Sequence, residues 1–562
     1  MVRPIMGTVV SGLCALALWA APLAAQDTPA SRLIDRYILQ SMQEAGTPGL
    51  AIAITTPDST LRVATFGYSD LSARKLLTPH DRFEIGSVSK SFTALALMQF
   101  AAQGKFDPKK PITTYLPWFA IRTKYRPLTG EDLLTHTGGL PADRDDIPSS
   151  IAQAYALHER TTGSAPGTYW SYSNIGFQTL GYVLGAIAGK PSAQVVQEKI
   201  LAPLGMSESQ GWWTHADRTS MAVGYETQYD DRPRRSNDPL FPGTWLEYAG
   251  GDGAIISTAG DMAKYARLLL NGGKGPNGEI VPAKWFAEFA APRKMDDPPD
   301  INSHYGYGIE ILTRPGHHRL AHTGGMIGYY TALEVDLDTR LGVIVLVNGP
   351  AHPSSVAAFA LKVMEAERAG TPLPELPAAD NAFDVSSAKE LAGTFTSPDG
   401  RRLTFEADSN HLFLVRGAER IALESNGHDA ALGPSDSFPL FPLWFRRTRD
   451  TVTEVTYGGD WYAGARYSGP KKFTHPAAWD AYVGHWRIAQ DWEPNFRIIQ
   501  RRGKLIYVSS GGDEQEMTRL PTGEFRVGGP KSAERLKFDE MVGGKAVRAN
   551  FSGMLYYRSF TP

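Results

Sequence analysis

Ser87-Val88-Ser89-Lys90 sets a hydroxyl and an amine one helical turn apart. The apolar run Phe92–Ala102 follows and predicts a buried helix, with Ser87 at its N-terminus and Lys90 on the same face. An alcohol is a poor nucleophile at neutral pH. A lysine whose pKa is lowered by burial or by a neighbouring cation can take its proton, and the positive end of the helix favours a developing oxyanion. No G-x-S-x-G elbow surrounds this serine, so an α/β-hydrolase arrangement is not indicated. The same S-x-x-K spacing recurs at Ser72/Lys75, Ser386/Lys389 and Ser468/Lys471, so the pair means little without partners.

Two further segments offer partners. Tyr172-Ser173-Asn174 follows Pro166–Trp170 and precedes the helical run Phe177–Ile187. A tyrosine beside a lysine ammonium can lose its proton well below the usual pKa near 10 and act as a base, and Asn174 suits a substrate amide. A tyrosine packed under a loop with an Asn-capped turn fits the same residues. His322-Thr323-Gly324-Gly325 leads into a strand. Its glycines allow close backbone approach, and the Gly325 N–H suits an oxyanion hole. His136-Thr137-Gly138-Gly139 repeats that tetrapeptide at a helix end before a proline turn, and is read as structural. The adjacent His317-His318 cannot face one metal from a regular element and is read as surface.

The elements that must hold these residues are legible from periodicity. Ser31–Gln43 and Ser354–Glu367 are amphipathic helices. Gly49–Thr55 and Arg62–Tyr68 read as strands, as does Thr331–Asp338, with Leu333, Val335 and Leu337 on one face and Glu334, Asp336 and Asp338 on the other. Leu341–Asn348 is a continuous apolar run, a central buried strand. Strands from both ends of 30–368 are therefore expected in one antiparallel sheet covered by helices, with 105–300 forming a helical, loop-rich lobe. A proline-rich linker, 369–381, ends this unit. The tail then repeats: Gly393-Thr394-Phe395 matches Gly484-His485-Trp486, and Leu403–Phe405 with Leu412–Val415 matches Phe496–Ile498 with Leu505–Val508. Two antiparallel β-barrel domains, 382–470 and 471–562, are expected.

The 562-residue chain, 42% hydrophobic and 21% charged, is long enough for several cores. Its net charge of −2 and lack of a basic run argue against a nucleic-acid partner. Arg3, the apolar Val9–Ala21 and the small residues up to Ala25 read as a signal peptide, 1–25, with an uncleaved anchor as the other reading. No other segment is apolar enough to span a membrane, so the mature chain is expected to be exported, periplasmic or secreted, without a span. Cys14, the only cysteine, lies in that signal, which leaves the mature chain no disulfide, thiol nucleophile or thiolate metal site.

Taken together, these motifs resemble the serine β-lactamase and penicillin-binding-protein-like family, and most closely its class C-like branch of carboxypeptidase B-type peptidases, D-aminopeptidases and esterases. Phe83–Lys90 resembles its nucleophile motif, Leu133–Pro141 a structural turn, and Pro166–Asn174 its Y-x-N loop. Leu201–Met206 and Gly250–Asp261 are similar to two further signatures, and His322–Gly325 stands where many members have K-T-G. The resemblance implies an α/β β-lactamase-like domain over 26–368 and acyl transfer without metal or organic cofactor. Ser87 would attack, Lys90 and Tyr172 would move protons, and the N–H groups of Ser87 and Gly325 would hold the oxyanion. Asn174, His322 and Gly324 would line the substrate site. His322 departs from the K-T-G lysine, which weakens the case for a β-lactamase or strict carboxypeptidase. The implied substrate is a small peptide, amide or ester. A D-aminopeptidase- or DD-peptidase-like amidase leads, with an esterase, a slowly turning-over penicillin-binding protein or β-lactamase, and a non-catalytic module as alternatives.

Overall fold

The computed structural model describes residues 28–141, 150–294, 303–490 and 492–559. The segment expected to be a signal, with Cys14, lies outside the described residues. The first unit is built on a nine-stranded antiparallel sheet. Its strands in chain order are β1 (Gly49–Thr55), β2 (Thr60–Asp70), β3 (Lys75–Leu76), β4 (Arg293–Lys294), β5 (Ser303–Tyr305), β6 (Glu310–Arg314), β7 (His317–Met326), β8 (Tyr329–Asp336) and β9 (Leu341–Val347). They are ordered β4-β5-β6-β7-β8-β9-β1-β2-β3, so the two ends of the unit meet at the β9–β1 pairing, Leu50 opposite Val347.

β1 and β9 are buried along their whole length because helices cover both faces. Helices α1 (Pro29–Ala45) and α5 (Pro353–Ala369) close one side around Ile34, Ile38, Ile52, Val343, Val345 and Leu361. α1 starts sharply because Thr28 caps the Ser31 N–H and Pro29 occupies the first turn. The other face carries α2 (Ser89–Ala102), α3 (Asn174–Ala188) and α4 (Ala259–Leu270). α2 has no solvent-facing polar side, and almost every side chain on it, polar ones included, is buried, as a helix between a sheet and a second lobe requires. The acidic face of β8 is also buried. The Arg319 guanidinium joins Glu334, Asp336 and Glu365 at 3.4, 2.9 and 3.2 Å.

The tail forms two all-antiparallel barrels. In the first, nine strands run from Gly393–Thr396 to Asp460–Gly464, and the ladder's two edges, Glu419–Ala422 and Glu424–Ser425, are consecutive in the chain, so the ring is nearly closed. The second closes fully, Gly484–Arg487 pairing with Met554–Arg558. The repeat is carried in register: Gly393 opposes Phe405, which opposes Leu414, and Gly484 opposes Ile498, which opposes Tyr507.

The barrels are docked on the first unit. Arg497 of the second barrel holds the Asp231 carboxylate at 3.2 Å, Asn495 donates to the Asp230 carbonyl at 2.7 Å, and Arg235 donates to the Phe438 carbonyl of the first barrel at 3.0 Å. Beside the Y-x-N loop, a methyl on Gly163 would lie 2.6 Å from the Ala533 nitrogen, and Lys531 sits 4.9 Å over the Tyr169 ring. Among the described residues no helix is long and apolar enough to cross a membrane.

Candidate active site

Ser87 lies in a single 3₁₀ turn, Gly86–Val88, that opens directly into α2. Lys90 is in the first turn of α2, fully buried, with its Nζ 2.9 Å from Ser87 Oγ. The same Nζ donates to Asn174 Oδ1 at 2.6 Å and to the Asp252 carbonyl at 3.1 Å. The other three S-x-x-K pairs lie apart from this site. Lys75, for instance, pairs with Asp81 at 3.0 Å.

Ser173 explains why Tyr172 and Asn174 converge. It is the N-cap of α3, with its hydroxyl accepting from the Gly176 N–H, so the extended loop ends at Tyr172 and the helix begins at Asn174. Lys90 Nζ is 4.8 Å from the Tyr172 ring centroid, and Lys90 and Ser87 both act on the Tyr172 hydroxyl. The expectation that the lysine lowers the tyrosine pKa is not met. Burial raises it, and the opposing pull of Lys90 is smaller, so Tyr172 keeps its phenolic proton at neutral pH.

Strand β7 approaches the nucleophile turn backbone to backbone. A methyl on Gly324 would lie 2.0 Å from the Ile85 carbonyl oxygen, and one on Gly86, whose φ is +51°, 2.7 Å from the Gly325 oxygen. A methyl on Gly325 would meet nothing within 4 Å, so that residue faces open space. His322 is buried on the same strand, with Nδ1 2.6 Å from the Thr323 carbonyl and Nε2 2.9 Å from the Tyr305 hydroxyl. Burial, with Lys90 nearby, pushes its pKa down to about 4. It is therefore neutral at physiological pH, and no cation stands where K-T-G proteins have one.

Sequence reasoning placed His136 in a structural turn, and the structure brings it to the edge of the site. Its ring lies 4.3 Å from that of Tyr172, its Nδ1 accepts from the Ser173 N–H at 3.1 Å, and its Nε2 is 3.2 Å from the Tyr305 hydroxyl. Its backbone is left-handed, φ 56°, which a tight turn demands. Burial holds its pKa well below the ordinary range. His317 and His318 do not meet: they pair with Asp336 and Asp338, each at 2.7 Å.

Two residues were missed. Asp252 lies inside the Gly250–Asp261 signature, but its backbone carbonyl does the work, and carbonyls carry no sequence signal. Its carboxylate is held by the Tyr248 hydroxyl at 2.6 Å. Tyr305 reaches the site on β5, the outer strand of the consecutive β5-β6-β7 meander, from a short segment whose residue types carry no motif.

A protein-family comparison matches residues 34–366, more than half the chain, to the family described as Beta-lactamase. The chain belongs to the Beta-lactamase family. Penicillin-binding protein 4* of Bacillus subtilis is 26% identical over 382 residues, covering 64% of this chain and 82% of that protein. Among solved structures, the octameric penicillin-binding protein homologue of Pyrococcus abyssi aligns with a TM-score of 0.56 at 23% identity, covering 77% of this chain and 100% of that one. The D-amino acid amidase of Ochrobactrum anthropi aligns with a TM-score of 0.50 at 22% identity, covering 60% and 98%. Membership and the Ser87–Lys90–Tyr172 cluster make the protein a serine hydrolase.

Proposed function

We propose that this β-lactamase-family hydrolase cleaves small peptide-like amides, in the manner of a D-aminopeptidase or DD-peptidase, through an acyl-enzyme on Ser87. The observation that carries the reading is the Lys90 environment. Asn174 Oδ1 and the Asp252 carbonyl can only accept, so two amine hydrogens are committed to them. The remaining tetrahedral position faces the hydroxyls of Ser87 and Tyr172. Once deprotonated, Lys90 can point its lone pair at the nucleophile and take its proton as Ser87 Oγ bonds to the substrate carbonyl carbon. The N–H groups of Ser87 and Gly325 receive the oxyanion. Tyr172, still protonated, donates to the leaving nitrogen as the C–N bond breaks and recovers its proton from Lys90. Water then attacks the ester carbon and gives a proton to the same pair, which returns it to Ser87 Oγ as the C–O bond breaks and the acid leaves.

Neutral His322 favours a second reading, an esterase of small acyl esters, because no fixed cation selects a substrate carboxylate. The basic, apolar and small-residue order of 1–25 supports export. A panel of D- and L-alanyl anilides and p-nitrophenyl esters on wild type and Ser87→Ala decides the substrate class. Turnover of anilides, lost in Ser87→Ala, supports the amidase. Turnover of esters alone leaves the esterase.

A further inference from the structure

Four hydrogen bonds link the Y-x-N loop to the strand opposite. The Ser173 backbone N–H can only donate, so His136 Nδ1 accepts and the single His136 proton sits on Nε2. That proton goes to the Tyr305 hydroxyl oxygen at 3.2 Å. The Tyr305 proton is then free for His322 Nε2 at 2.9 Å, which puts the His322 proton on Nδ1, facing the Thr323 carbonyl at 2.6 Å. Every donor meets an acceptor in one sense of direction only. A proton added to His322 Nε2 would turn its N–H against the Tyr305 oxygen and leave the tyrosine proton facing the His136 N–H. The alternative, moving the His136 proton to Nδ1, opposes the Ser173 N–H.

We infer that Tyr305 is a positioning residue that keeps His322 neutral, and so denies a substrate carboxylate a cationic anchor opposite Ser87. The inference deepens the substrate class of the serine-hydrolase site proposed above and rests on that reading. The surroundings act in the same sense. Lys90 on α2, Tyr172 on its loop and Tyr305 on β5 pack around the His322 ring, with no carboxylate among its hydrogen-bond partners. Asp252 lies behind Lys90 and Tyr172, and Glu310 behind Tyr305.

The test compares p-nitrophenyl butyrate with p-nitrophenyl hemisuccinate, acyl groups of similar length ending in a methyl or a carboxylate. For wild type the kcat/KM ratio should favour butyrate and stay flat between about pH 5.5 and 8, across the ordinary histidine range. In Tyr305→Phe, His322 Nε2 loses its donor and is free to protonate. The ratio should then swing toward hemisuccinate by about tenfold at the acid end, the worth of a charge-assisted hydrogen bond. His322→Lys should show the same preference at every pH. A Tyr305→Phe ratio that matches wild type at all pH values, or a wild-type ratio that already falls in acid, overturns the inference. If wild type turns over neither ester, the hydrolase reading is what fails. Tyr305 is then judged without turnover, from ¹⁵N shifts of labelled histidine rings assigned with His322→Gln. A neutral Nδ1–H ring at pH 5.5 in wild type supports the inference, and an imidazolium overturns it.

Discussion

Lys90 and Asn174 meet across 2.6 Å, and that contact fixes which way the lysine amine faces the nucleophile. Asn174 is thus a tether for the base as well as a lining residue. Asn174→Ala should lower kcat more than it raises KM, by about tenfold, the loss of one hydrogen bond to a polar or charged group. Asn174→Asp should act differently. A carboxylate beside the amine stabilises the ammonium, so the amine stays protonated to higher pH, and the rising limb of the kcat/KM profile should move to higher pH. Profiles of the two variants on one chromogenic substrate check both outcomes.

Lys90→Met removes the amine altogether and should cost about 10²–10⁴ in kcat, the range for a positioned acid–base group. Tyr172→Phe should fall in the same range with amide substrates and lose less with p-nitrophenyl esters, whose leaving group needs no proton. Single-turnover rates on matched pairs measure the difference.

Gly324 and Gly325 are neighbours with opposite tolerances. A methyl on Gly324 meets the Ile85 carbonyl at 2.0 Å, backbone that cannot yield without moving the nucleophile turn. Gly324→Ala should therefore cost about 1–3 kcal/mol and most of the activity. Gly325→Ala, with open space around it, should melt like wild type while losing activity toward bulky substrates. Thermal melts paired with kcat/KM values separate the two effects.

The strands that flank the site are visible in the sequence because burial on two faces demands unbroken apolar runs, as in Leu341–Val347, and the barrels because both copies keep the same strand order from Gly393 and Gly484 onward, with a short insertion in the second. Ser87, Lys90, Tyr172, Asn174 and His322 were legible because each lies in a short motif that also dictates local structure. What was not legible depends on competition or on distance. Lysine and burial pull the Tyr172 pKa in opposite directions, and only the structure shows that burial wins. Tyr305 joins His136 to His322, and its contact with His136 brings together segments far apart in the chain, which no local pattern encodes.

His322 also ties stability to pH. Its pKa falls from an ordinary value near 6.5 to about 4 on folding, so below pH ~6.5 the unfolded chain binds the extra proton. The stabilisation is whole above that pH and is lost as pH falls toward 4, amounting to ~3 kcal/mol from this group. His136, buried and neutral, acts in the same sense. Melting temperatures taken from pH 7.5 down to 4.5 should fall more steeply for wild type than for His322→Gln.

Arg497 and Asp231 hold the second barrel to the first unit. Arg497→Ala leaves the Asp231 carboxylate and carbonyl without this partner and should weaken docking by about 2–5 kcal/mol. Faster proteolysis between residues 228 and 239, with each barrel still resistant, is the expected readout.

The proposed chemistry passes through a covalent bond to Ser87. Intact-mass analysis of protein quenched during turnover of a p-nitrophenyl ester, followed by peptide mapping, tests it most directly. One acyl group is expected, on the peptide containing Ser87, absent from Ser87→Ala, and longer-lived when Lys90 is replaced by methionine if any acylation survives. Undiminished turnover by Ser87→Ala, or an acyl group mapped to another residue, would contradict it.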